Sequence, residues 1–231
     1  MFFFDPLYLV FMIPGLILTL WAQAKLRSSF SKYRQIPNSR GLTGAQAAQE
    51  VMRAAGVYDV GIEPIAGELT DHFDPRDKVL RLSEPIYSGR SIAAMAVAAH
   101  EAGHAVQQAT NYAPMTVRQN LVPVANIGSN VGLYAVIFGV ILGVTGLAWI
   151  GLLLFASMTL FQLVTLPVEY NASARARELL ERAGLISRDE YGEVRSMLNA
   201  AALTYVAGFA ASLLTLLYYL MLVSGMSRRE E

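Results

Sequence analysis

A chain of 231 residues that is 54% hydrophobic and only 16% charged, with a mean hydropathy of +0.40, is too apolar for an ordinary soluble domain of its length. It contains no cysteine, which excludes disulfide frameworks and thiolate metal sites and leaves the redox compartment open. Its formal net charge is zero and no basic patch is interleaved with aromatic residues, so nothing points to nucleic acid.

In chain order, the first apolar segment runs from about Leu7 to Ala24, close to the roughly 20 residues that a helix needs to cross a bilayer. Ala22 and Ala24 offer a small-x-small pattern that a signal peptidase could cleave. However, MFFFDP before the segment carries only Asp5, whereas Lys25, Arg27, Lys32, Arg34 and Arg40 follow it. That charge order fits a retained anchor with its N-terminus outside.

The polar stretch that follows alternates between helix and strand signals. LTGAQAAQEVMRAAG reads as a helix with Thr43 as N-cap and Gly56 just past its end. IEPIAGELTDHFDPRDKVLRLSEP alternates as short strands do, with DPRD as a turn between LTDHF and KVLRLS, and predicts a small sheet. Ser91 then caps a helix from Ile92 to about Thr110.

Between Arg118 and Glu169 the chain carries no Asp, Glu, Lys or Arg, a run long enough for two spans. The turn between them is expected at GVTG, Gly143 to Gly146. Pro167 suits the first turn of a new helix, VEYNASARARELLERAG, that ends at Gly184. Ser187 with Glu190 makes a capping box for the helix leading to a fourth span, Leu203 to Val223.

With four spans and the N-terminus outside, residues 25–120 and 167–202 fall on one side and hold sixteen of the eighteen Lys and Arg residues. The positive-inside rule makes that side cytoplasmic. Arg228 and Arg229, in the tail, run against this assignment.

The chemistry is concentrated in MAVAAHEAGHAVQQA, Met95 to Ala109, which holds two of the chain's three histidines. On a helix, residues four apart share a face, so His100 and His104 can offer imidazole nitrogens to one metal ion while Glu101 points about 100° around the axis. This H-E-x-x-H pattern makes the histidines neutral ligands for zinc and Glu101 a general base toward a zinc-activated water. The alternative is a pair of core or surface histidines, which in an alanine-rich helix would need other partners at a cost of several kcal/mol if left without them.

A catalytic zinc takes three protein ligands, and the carboxylate that stands out as the third is Glu169, just after Pro167. The uncharged hairpin between His104 and Glu169 makes an even number of crossings, which returns the chain to the same side. At about 1.5 Å of rise per residue, Glu169 would lie about 4 to 5 Å beyond Leu166, putting the metal at the membrane surface. A helix-dipole charge is the alternative use of a glutamate near a helix start.

LTDHFDPRDKVLRLSEP, AAHEAGHAVQ and LPVEYNASARA, in this order, together resemble the YugP-like membrane zinc metallopeptidases of bacteria, which are related in pattern to the HtpX and CAAX prenyl protease group. The resemblance covers nearly the whole chain, including all four apolar segments. It implies a gluzincin arrangement with His100, His104 and Glu169 as ligands of one Zn2+ per chain and Glu101 as base. In the HtpX pattern an aspartate four residues after the ligand glutamate buttresses a ligand histidine. Ser173 occupies that position here and orients an imidazole more weakly, with Asn171 as another candidate.

Other polar residues keep two readings each. His72 could bind substrate or stabilise an oxyanion, or it could simply end a strand facing solvent. Arg175 and Arg177 could stabilise an oxyanion or serve as solvated helix charges. KVLRLS could be a sheet edge that pairs with an extended peptide, or an interior strand.

The expected architecture is a mostly α integral membrane protein with about four transmembrane helices and a small α+β zincin-like metallopeptidase module at the membrane surface. Residues 1–26 form the anchor, 27–120 and 167–202 the two parts of the catalytic module, 121–166 the transmembrane hairpin, and 203–231 the last helix and tail. The expected activity is zinc-dependent endoproteolysis of membrane or membrane-adjacent proteins in the bacterial cytoplasmic membrane, with the lipid bilayer as surroundings. Two other readings are a site-2-type protease with its zinc helix inside the bilayer, and a scaffold in which zinc only fixes the fold.

Overall fold

A computed structural model of the chain describes residues 6–230; Asp5 lies outside them. The elements are α1 (Pro6–Arg34), α2 (Gly44–Ala54), β1 (Gly61–Ile65), β2 (His72–Asp74), β3 (Val79–Ser83), α3 (Glu84–Tyr87) and α4 (Ile92–Ala109), followed by α5 (Ala113–Ile127), α6 (Leu133–Leu142), α7 (Thr145–Arg182) and α8 (Arg188–Glu230). A π-helical turn, Gly128–Gly132, joins α5 to α6. The protein is a mostly α integral membrane protein in which four helical stretches, Pro6–Arg34, Ala113–Leu142, Thr145–Arg182 and Arg188–Arg228, are long and apolar enough to cross a bilayer.

The chain divides into two compact units. One contains α1 up to Ala22, Thr116–Leu166 and the chain from Thr204; the other contains Gln23–Met115 and Pro167–Leu203. In the first, small residues let backbones approach where no side chain would fit. A Cβ at Gly128 would lie 2.2 Å from the Leu154 carbonyl oxygen, and one at Gly139 would lie 2.4 Å from the Ala148 nitrogen. Packing of this kind is what holds helices together where lipid offers as apolar a surrounding as leucine does. Between α6 and α7 the chain turns through Gly143, whose φ of +69° only glycine adopts freely, within the expected GVTG turn.

The second unit is built around α4, fifteen of whose eighteen residues are buried. Ser91 accepts a hydrogen bond from the Ala94 N–H and starts the helix, as its sequence position predicts. α2 packs along it with Ala47, Ala48 and Val51 in the shared core. That helix begins at the expected Thr43, whose hydroxyl accepts from the Gln46 N–H while the Gln46 side chain accepts from the Thr43 N–H. It ends at Gly56, with φ at +75° and the Val57 N–H closing onto the Met52 carbonyl.

The sheet has strand order β1-β3-β2, with β1 parallel and β2 antiparallel to β3. β3, the KVLRLS strand, is therefore interior and cannot serve as the peptide-pairing edge. Its burial on both faces agrees, since Val79, Leu80, Leu82 and Ser83 are all enclosed. The edges are β1, which carries Pro64 where an edge tolerates it, and β2.

Pro167 departs from its predicted role. α7 runs unbroken from Thr145 to Arg182 with the proline inside it, so no new helix opens there. Proline deletes the N–H that would bond the Leu163 carbonyl, but long apolar helices tolerate such a gap when neighbours hold both sides. Glu169 consequently lies deep in the helix interior, where the macrodipole effect of a helix start has faded. α7 does end where expected: Gly184 has φ at +65°, its N–H bonds the Glu181 carbonyl and the Leu185 N–H bonds that of Leu180.

Candidate metal centre

The helical spacing of α4 places His100 and His104 one turn apart on a single face, with ring centroids 4.8 Å apart. That face meets α7, and Gly103 makes the approach possible: a Cβ there would lie 2.6 Å from the Ala172 carbonyl oxygen. α7 answers with Glu169 and Ser173, one turn apart on the facing surface. His100 Nε2 lies 3.1 Å from Glu169 Oε2, and His104 Nε2 lies 3.5 Å from the same oxygen.

All three side chains are buried, and one donor atom from each lies within 4.8 Å of the others. Ligands held at about 2.1 Å around a tetrahedral ion stand about 3.4 Å apart, and Glu169 Oε2 stands at about that separation from each imidazole nitrogen. The other ring nitrogens are occupied. His100 Nδ1 lies 3.1 Å from the Ser173 hydroxyl and His104 Nδ1 lies 3.0 Å from Gln107 Oε1, so both Nε2 atoms face the carboxylate. Two imidazoles and a carboxylate are a donor set that would suit zinc.

Glu101 projects from α4 toward the sheet, near the Phe73 backbone of β2, whose N–H favours its charged form. Burial pushes its carboxyl up to about 8, the neighbouring Glu169 and Asp71 carboxylates add to this, and His100 and the Phe73 N–H oppose it. Asp71 is itself raised by burial, although the Ser83 N–H at 2.7 Å and the Ser83 hydroxyl at 3.0 Å favour its charged form. The centre therefore gathers carboxylates of two kinds, one between imidazoles and two against the sheet.

The structure brings His100, Glu101, His104, Glu169 and Ser173 together. Asn171 and Arg175 stand one step away: Asn171 Oδ1 accepts from Gln107 Nε2 at 3.0 Å and from Arg175 Nε at 2.8 Å. The Arg175 guanidinium lies over the Tyr112 ring, 5.8 Å from its centroid. Arg177 bonds the Ser173 carbonyl through Nε. His72 is exposed, its Nδ1 lies 2.8 Å from the Thr70 carbonyl oxygen, and it does not join the group of possible ligands. Two residues went unnoticed in the sequence. Gln107 follows His104 by three positions and is the one large polar side chain of α4 with no exposure at all; in the sequence it is one of two adjacent amides, Gln107 and Gln108, near the histidine face. Asp71 had no such signal, because only the strand pairing brings it near Glu101.

Fold and donor set together define a class: a helical membrane protein in which an H-E-x-x-H helix and the helix facing it bring two buried histidines and a buried glutamate together. Residues 8–224 match the family described as "Putative neutral zinc metallopeptidase", and the chain belongs to that family. Among its relatives is the protein described as "Putative membrane protease YugP" from Bacillus subtilis (strain 168), 44% identical over 216 residues that make up 94% of this chain and 96% of that one. No solved structure matches the chain.

Proposed function

We propose that this protein is a zinc-dependent endopeptidase, holding one zinc ion through His100, His104 and Glu169 and hydrolysing peptide bonds of membrane or membrane-adjacent proteins. The observation that carries the reading is the convergence of those three buried donors from two helices, with Glu101 beside them. A zinc ion bound there supplies Lewis acidity and lowers the pKa of its water to about 7. Glu101, beside those donors, would accept the proton of the attacking water and deliver it to the departing amine. Ser173 and Gln107 hold the imidazole rings, and the open edge of β2 beside Glu101 gives an extended peptide a strand to pair with.

The preference for membrane substrates is supported by the four apolar helices and by the relative described as a membrane protease. A site on the cytoplasmic side of a bacterial inner membrane is supported by the sixteen Lys and Arg residues that share its side of the chain. Against a zinc helix sunk in the bilayer stands α4 itself, which belongs to the same compact unit as the sheet and is not among the four spanning candidates. The test is Glu101→Gln in detergent-purified protein. Zinc content should be retained while peptidase activity falls by about 10²- to 10⁴-fold. Unchanged activity with zinc bound would refute the mechanism, and an in vivo role that survives the substitution would favour the scaffold reading.

A further inference from the structure

We infer that Gln107 is the residue that fixes which nitrogen His104 offers to the metal, a positioning role that rests on the His2Glu reading of the centre. The argument is one of hydrogen-bond polarity. A glutamine amide can be turned either way, and a neutral imidazole can carry its proton on either nitrogen, so the contact of 3.0 Å between His104 Nδ1 and Gln107 by itself decides nothing. Two fixed partners decide it. The Val168 carbonyl oxygen, which can only accept, lies 2.8 Å from the other end of the Gln107 amide. The Arg175 Nε–H, which can only donate, lies 2.8 Å from Asn171 Oδ1, and that oxygen in turn lies 3.0 Å from Gln107 Nε2.

The amino group of Gln107 therefore faces Val168 and Asn171, with both of its protons used. Its oxygen faces His104 Nδ1 at 3.0 Å, nearer than Glu169 Oε2 stands to Nε2, so the single proton of neutral His104 is held on Nδ1. Nε2 is left as the lone-pair nitrogen, 3.5 Å from Glu169 Oε2. Because Gln107 is fully buried, no water competes for these positions and reversing the amide would set two pairs of like groups against each other. His100 has no lock of this kind. The Ser173 hydroxyl at Nδ1 donates or accepts as needed, and without a metal Glu169 Oε2, 3.1 Å from Nε2, accepts a proton there. One metal ligand is thus set before any ion arrives, by a chain that starts at an arginine two turns further along α7.

The chain holds only three histidines, so 15N spectra of histidine-labelled, metal-free protein at alkaline pH resolve the tautomer of each. His104 is expected to keep its proton on Nδ1, and Gln107→Leu to mix the two tautomers and weaken zinc binding by about 10- to 100-fold in chelator competition. Gln107→Glu separates positioning from simple clamping of α4 to α7. A carboxylate still accepts from Nδ1–H but cannot donate to Val168 or Asn171, so the native tautomer should persist while stability falls. A native tautomer in Gln107→Leu would overturn the inference, as would mixed tautomers in a folded Gln107→Glu. A native chain that binds no zinc while His104 keeps the Nδ1 proton would overturn the metal reading and leave the assignment of Gln107 standing.

Discussion

α1 and α4 are both apolar helices, yet they meet their surroundings in opposite ways. Across its most apolar window α1 is only 11% buried, and Leu16, Ile17, Leu20 and Trp21 are each more than half exposed. α4 is enclosed along almost its whole length. The difference lies in side-chain size. α1 is made of Leu, Ile and Phe, which reach outward to a lipid surrounding. α4 is made of Ala and Gly, which let α2 and α7 close onto its backbone. Apolar composition alone says that a helix avoids water, while residue volume says whether lipid or protein replaces it. Polar groups on α4 are then sealed inside protein, where each needs a partner, and His100, His104 and Gln107 all have one.

Breaking the close approach should have the largest effect on stability. Gly103→Val would drive a Cβ into the Ala172 carbonyl, a backbone atom that cannot step aside. We expect a loss of roughly 3 kcal/mol in detergent, with zinc binding lost as α7 is pushed from the histidines. Thermal unfolding together with metal analysis checks this, and a variant of native stability would mean that the two helices are not so tightly apposed.

The enclosure of Glu101 predicts a pH effect of intermediate size. Its pKa in the folded, metal-free protein, about 8, lies above the ordinary value of 4.5. Between these limits the folded state binds more protons than the unfolded state, so stability falls as pH rises through that window and is recovered on acidification. The slope contributed is at most about 1.4 kcal/mol per pH unit. Glu101→Gln should flatten it, which unfolding midpoints of the two metal-free proteins across that window would reveal. Identical slopes would show that the carboxyl is not enclosed as described.

The smallest effect is expected on the exposed helix. Leu16→Ala removes a larger side chain than any alanine of α4, yet it should shift stability by about 0.5 kcal/mol or less, because nothing in the protein closes over it. A loss comparable with that of Gly103→Val would mean that α1 is covered by protein after all.

Much of this was legible because local rules hold where local interactions decide. Thr43, Gly56, Ser91 and Gly184 mark helix ends through bonds made within a few residues, and the sequence positions of these caps match the structure. The H-E-x-x-H spacing needs only a helix, and Glu169 stands out as the first charged residue after the long uncharged run. What was not legible depends on distant partners. Pro167 carries the signature of a helix start, but packing carries the helix through it. The KVLRLS strand sits inside the sheet because β1 returns to pair with it in parallel, which no pattern within the strand records. Glu169 and Gln107 take their meaning from facing each other's helix, an arrangement that only the approach at Gly103 produces.

The central claim is that two histidines of α4 and one glutamate of α7 form a single metal site. Its most direct test is elemental analysis of the detergent-purified protein beside Glu169→Ala. About one zinc per native chain and a clear loss in the variant is the predicted result. Full zinc retention without Glu169 would contradict the account, and no zinc in either would return His100 and His104 to a purely structural role.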